Sequence, residues 1–139
     1  MTLDDRQCWE LLASGRHASF GTVHPIRGVD VVPVVYAVLP GGRIVVPVDA
    51  VKPKSTDRLQ RVVNVEHDSR CVLLVDHYDD DWSKLWWVRA HSAAVVSPVT
   101  EEIVTTLAMR FVQYESPGSI IAALILTPSM MSGWSARTW

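Results

Sequence analysis

The chain reads as mainly β: a small antiparallel barrel with peripheral helices, a single domain over residues 1–139. Three observations predict this. Strand-type runs dominate the sequence; most are joined by hairpin-length turns rich in Pro and Gly; and only three helical stretches interrupt them, too few to alternate with strands as in a doubly wound sheet. With 48% hydrophobic and 20% charged residues, the composition suits an ordinary globular chain rather than a disordered one.

Thr2 followed by Leu3, Asp4 and Asp5 predicts a helix start, with acids in the first turn where the helix dipole favours them. Cys8, Leu11 and Leu12 then recur at helical spacing, and Gly15 is a natural stop. From His17 to Val48 the texture is β, in the runs HASFGTV, VDVVPVVYAVL and RIVVPV. Pro25–Gly28 and Pro40-Gly41-Gly42 separate them, and the last two runs form the clearest hairpin. Pro33 and Pro47 each interrupt a strand. Because Pro has no N–H, both positions predict edges, bulges or places where something other than a strand lies alongside, such as a flat ligand.

Leu59, Val62, Val63 and Glu66 follow helical spacing; Arg70–His77 is an apolar run of strand length, and Lys84–Val96 is a longer strand after the acidic connection YDDDW. Ser97-Pro98 predicts a cap with Pro at the first helical position, followed by an apolar stripe through Ile103, Val104, Leu107, Ala108, Phe111 and Val112. Pro117-Gly118 ends that helix, and Ser119–Leu126 reads as a final core strand.

A net charge of −2 argues against a nucleic-acid binder, which needs a broad basic surface. Cys8 and Cys71 stand far apart with no CxxC, and the acidic start MTLDDRQCWE is unlike a signal peptide, so a cytoplasmic setting with reduced thiols is expected. The run Ser116–Ser135 is broken by Pro117, Gly118, Pro128 and Gly133, so no membrane span is expected.

The usual catalytic signatures are missing. No GxSxG announces a serine nucleophile, and the five histidines show neither HxH nor HExxH. Asp76, Asp79, Asp80 and Asp81 lack the spacing and glycine of a calcium loop, so a solvated hairpin tip is expected there. No catalytic side chain and no metal ligand are predicted. Of the adjacent Trp86 and Trp87, one ring must face the core and the other outward, where an interface between two copies would cover it.

Ile44–Arg61 carries the strongest local signal. Lys52, Lys54, Arg58 and Arg61 place four cations within ten residues against one acid, Asp57. Lysines supply point charges, arginine grips phosphate oxygens in a fork, and a helix N-terminus capped by Ser55 or Thr56 would point free N–H groups at the same anion. A solvated charge run on a helix face accounts for the same residues. The pattern fits a protein whose cofactor does the chemistry, or a ligand binder without turnover.

The succession HASFGTVHPIRGVDVVPVVYAVLPGGRIVVPVD, VKPKSTDRLQRVVN, SRCVLLVDHYDDDWSKLWWVRAHSAAVV and SGWSA resembles the pyridoxamine 5′-phosphate oxidase-like split β-barrel proteins. More narrowly it resembles their actinobacterial deazaflavin-dependent oxidoreductase branch. The likeness covers almost the whole chain, and DHYDDDW to WWVRA is its most specific part. It departs at ASFGTV, where relatives tend to show Arg-Leu-Ala-Thr, and at MMSGW.

The resemblance implies a homodimer with cofactor sites at the subunit interface. It implies the deazaflavin coenzyme F420, with FMN as the alternative, passing a hydride to a small organic acceptor. By similarity Lys52, Lys54, Ser55 and Arg58 would contact the phosphate, while Val32, Pro33 and Val34 on one strand and Pro47 and Val48 on the facing one would flank the ring.

Overall fold

The computed structural model describes residues 1–49 and 59–137. Helix α1 (Asp5–Ser14) leads into β1 (His17–His24), β2 (Gly28–Val35), β3 (Ala37–Leu39) and β4 (Arg43–Asp49). Helix α2 (Gln60–His67), β5 (Arg70–His77), β6 (Trp86–Ser97), α3 (Glu101–Arg110) and β7 (Ile120–Ser135) follow. The seven strands form one sheet in the order β2-β1-β5-β6-β7-β4-β3, and every pairing is antiparallel. Strands from both ends of that order, through Phe20, Val34, Ile44 and Val46, share one apolar core, so the sheet wraps around it. This is the mainly β, split-barrel architecture the sequence predicts. No helix among the described residues is long and apolar enough to cross a membrane.

Local chemistry explains the element ends. Asp4, not Thr2, caps α1: its carboxylate accepts from the Gln7 N–H while the Gln7 side chain accepts from the Asp4 N–H. This reciprocal box satisfies two donors that the helix cannot pair internally. Thr2 instead bridges to Trp134 on β7. Thr100 caps α3 by accepting from the Ile103 N–H, three residues beyond the predicted Ser97-Pro98 start, because β6 keeps its pairing with β7 through Ser97.

The predicted run VDVVPVVYAVL is two strands. Its first part pairs with β1 across the Pro25–Gly28 turn, and only Ala37–Leu39 pairs with β4. The chain turns at Tyr36, whose ring is fully buried and whose hydroxyl donates to the Leu12 carbonyl oxygen. Gly41 and Gly42, at φ 82° and 72°, make the tight turn of the β3–β4 hairpin, where a side chain would be strained.

Strand β7 is twice the predicted length and serves two neighbours, β4 along its first half and β6 along nearly all of it. Pro128 does not end it. A register shift at His91/Ser92 accommodates the residue without an N–H, as β-bulges do. A second apolar cluster, with Leu39, Val45, Leu107 and Tyr114, lies where α3 covers the outer side of β3 and β4.

Helix α2 begins at Gln60 with Leu59 in the cap position and no side-chain cap hydrogen bond; Ser55 and Thr56, the expected cap residues, lie outside the described residues. It is held by packing and by a buried amide. Val62 and Val65 enter the core, and Asn64, fully buried, donates to Thr22 Oγ1 at 2.9 Å and Asp30 Oδ2 at 3.0 Å. Asp30 also takes a forked pair of bonds from Arg27 at 2.8 and 2.9 Å.

Candidate functional site

The two strand prolines locate the site. Pro33 lies on β2, the edge strand of the sheet, opposite Ser19. Pro47 lies on β4 opposite Ala123 of β7, but β3 pairs with β4 only as far as Val45. Among the described residues, both prolines therefore stand where the ladder adds no further strand, so the missing N–H groups leave no ladder bond unmade there. Between these two open edges lies a cavity of about 410 Å³.

Its walls are apolar: Pro33, Val34 and Val35 from β2, Pro47 from β4, and Phe111 after α3. Its polar groups are Asp49, Arg61, Tyr114, Gln113 and His17. Tyr114, in a short 3-10 helix over Val112–Glu115, donates its hydroxyl to Asp49 Oδ2 at 2.9 Å. Burial and then this bond raise the Tyr114 pKa well above the usual phenol value, so the group stays a neutral O–H.

Arg61 in the first turn of α2 brings a guanidinium whose Nε is buried with no hydrogen-bond partner among the described residues. Burial pulls its pKa down, and the nearby Asp49 carboxylate and Tyr114 oppose that shift. A buried donor without an acceptor is costly unless it is paired, and a hydrogen bond made to it meets little competition from water.

Of the sequence-predicted site residues, Pro33, Val34 and Pro47 line the cavity. Val32 and Val48, their chain neighbours, pack into the core instead. Lys52, Lys54, Ser55 and Arg58 lie outside the described residues, but Asp49 and Arg61, which bracket them in sequence, both line the cavity. His17, Asp49, Phe111, Gln113 and Tyr114 carry no sequence signal for this role. They come from three separate stretches and meet only in the fold.

The remaining candidates behave as structure. Among the described residues no group of His, Cys, Asp and Glu could hold a metal ion. Cys8 and Cys71 are buried free thiols, with the Cys71 thiol pushed up to about 12 by burial, so neither is a nucleophile. Asp76, Asp80 and Asp81 are exposed near the β5–β6 tip, and Asp81 caps a short 3-10 helix through Ser83.

No family model matches the chain, and no curated protein matches it. Solved structures do. A conserved hypothetical protein, Rv2991 of Mycobacterium tuberculosis, superposes with a TM-score of 0.77 at 16% identity, over 97% of this chain and 86% of its own. An FAD-binding protein from Mesorhizobium loti gives 0.69 at 13% identity, over 96% and 93% of the two chains. A candidate pyridoxamine 5′-phosphate oxidase from Corynebacterium glutamicum gives 0.64 at 14% identity, over 96% and 94%. At these identities the likeness is one of fold, and it extends over nearly the whole chain.

Proposed function

We propose that the protein is an oxidoreductase that binds the deazaflavin coenzyme F420, with its ring in the cleft between β2 and β4, and serves hydride transfer to a small organic acceptor. The observation that carries this is the cavity between Pro33 and Pro47, with apolar walls on both sides and the Arg61 donor in its lining. Its size and mixed lining suit a planar cofactor ring, since small-molecule sites are concave, mostly apolar and fixed by a few polar groups. The FAD-binding and oxidase descriptions of two fold neighbours support a flavin-like ligand.

When bound, a flavin or deazaflavin ring supplies the hydride chemistry; the chain supplies orientation and exclusion of water. No cleft side chain need act as acid or base. Lys52, Lys54, Ser55 and Arg58 would hold the phosphate; Asp49 and Arg61, which bracket them in sequence, line the cavity. Several cations spread over this stretch suit the longer anionic tail of F420 better than the single phosphate of FMN, which remains the alternative.

The active form would be a homodimer. Strand register puts Val29 and Val31 of β2, Leu74 of β5, Trp87 of β6 and Met130 and Trp134 of β7 on one outer face. Val29 and Val31 are 70% and 63% exposed, an apolar strip that a second copy would cover. Trp86 faces the core instead, stacked near His77.

Side-by-side fluorescence titration with F420 and FMN tests the reading. F420 should bind more tightly. Protein that purifies yellow with FMN would place it with the flavin enzymes, and tight F420 binding without oxidation of the reduced form by a panel of quinones and enones would make it a carrier.

A further inference from the structure

We infer that Arg61 is a ring-edge anchor: its buried guanidinium Nε donates to a carbonyl oxygen on the rim of the bound heteroaromatic ring, separately from the ligand's phosphate. This rests on the reading of the cleft as the ring site.

Three observations carry it. Arg61 lines the cavity, and its guanidinium Nε is buried with no acceptor among the described residues. It is also fixed in place, because α2 is locked onto β1 and β2 through Asn64, with Val62 and Val65 of the same helix in the core. Finally, its surroundings select the kind of acceptor. The Asp49 carboxylate lines the same cavity and acts on the Arg61 charge, so an anion entering beside Arg61 also meets a negative charge.

A phosphate placed there would meet that carboxylate, whereas phosphate sites gather several donors and net positive charge. A neutral carbonyl needs one in-plane donor and suffers no such repulsion. The imide edge common to flavins and deazaflavins presents such oxygens. Tyr114 already gives its hydroxyl proton to Asp49, whereas Arg61 Nε is a buried donor without an acceptor among the described residues.

The test separates ring from phosphate by pairing ligands that differ in the phosphate: riboflavin with FMN, and the phosphate-free ribityl deazaflavin with F420. Each is titrated by fluorescence into wild type, Arg61→Gln, Arg61→Lys and the Lys52→Ala, Lys54→Ala double variant. Arg61→Gln should weaken both members of a pair alike, by about tenfold or more. Arg61→Lys should fall with it, because lysine keeps the charge but not the in-plane Nε donor. The double lysine variant should weaken only the phosphorylated member.

Loss confined to the phosphorylated ligands in Arg61→Gln would make Arg61 a phosphate contact and overturn the proposal. Unchanged affinity, or a large fall in the melting temperature of both ligand-free Arg61 variants, would reduce the residue to a structural one. If wild type binds neither pair, the cleft reading itself falls, and the anchor with it.

Discussion

The closed and open sides of the sheet obey different rules. Along β5, β6 and β7 the strands are long and paired almost without interruption, Arg70 through His77 to β6 and Trp86 through Ser97 to β7. There each backbone group is answered by the next strand, and Leu73, Val88, Leu124 and Leu126 fill the core. At the opposite side β2 and the far half of β4 have no further strand among the described residues, prolines stand on both edges, and polar residues from distant segments gather in the gap. The paired side carries the core, and the unpaired side leaves the cavity.

Substitutions should separate these two sides, and the largest effect is expected on the closed one. Leu124→Ala, in a fully buried position where β7 joins β4 and β6, should cost about 3 kcal/mol or more in urea unfolding. Asn64→Ala should come next, at about 2 kcal/mol, because it removes the buried amide that donates to Thr22 and Asp30 and leaves both acceptors without it. It should also weaken ligand binding, since the same helix presents Arg61. Pro33→Ala on the open edge should change stability by less than about 1 kcal/mol, because no ladder bond depends on it. A large loss at Pro33 would erase the contrast between the two sides.

A smaller effect is expected from pH. Hydrogen bonds from Arg27, then Asn64, lower the Asp30 pKa from 3.8 to about 2. The folded state therefore holds its charge more strongly than the unfolded chain does. This stabilisation is complete above pH 3.8 and is lost as pH falls towards 2. Asp30→Asn should flatten the acid limb of the stability profile in that window, as followed by circular dichroism, and leave the neutral-pH slope unchanged.

Strand content was legible because its signals are local. Arg70–His77 is predicted to the residue, since an apolar run between polar ends specifies a strand by itself. The two prolines gave away the open edges because a missing N–H constrains its neighbours wherever it stands. What local signals missed was tertiary. The turn at Tyr36 depends on a hydrogen bond to Leu12, the length of β7 on a bulge opposite Pro128, and the start of α3 on how far β6 remains paired. Asp49, Phe111 and Tyr114 join the cleft from stretches that show no periodicity or motif for it. Arg61 was legible only as a charge, and its burial distinguishes it from an ordinary surface cation.

The central claim is that the gap between β2 and β4 is where the ligand ring lies. Hydrogen–deuterium exchange of the protein with and without saturating F420 tests it directly, because the amides around Pro33 and Pro47 border the cavity. The account predicts that F420 slows exchange in residues 31–35 and 45–49, with little change in the paired centre of β5 and β6. Tight binding that leaves both edges unprotected, with slowing confined to other parts of the molecule, would contradict it.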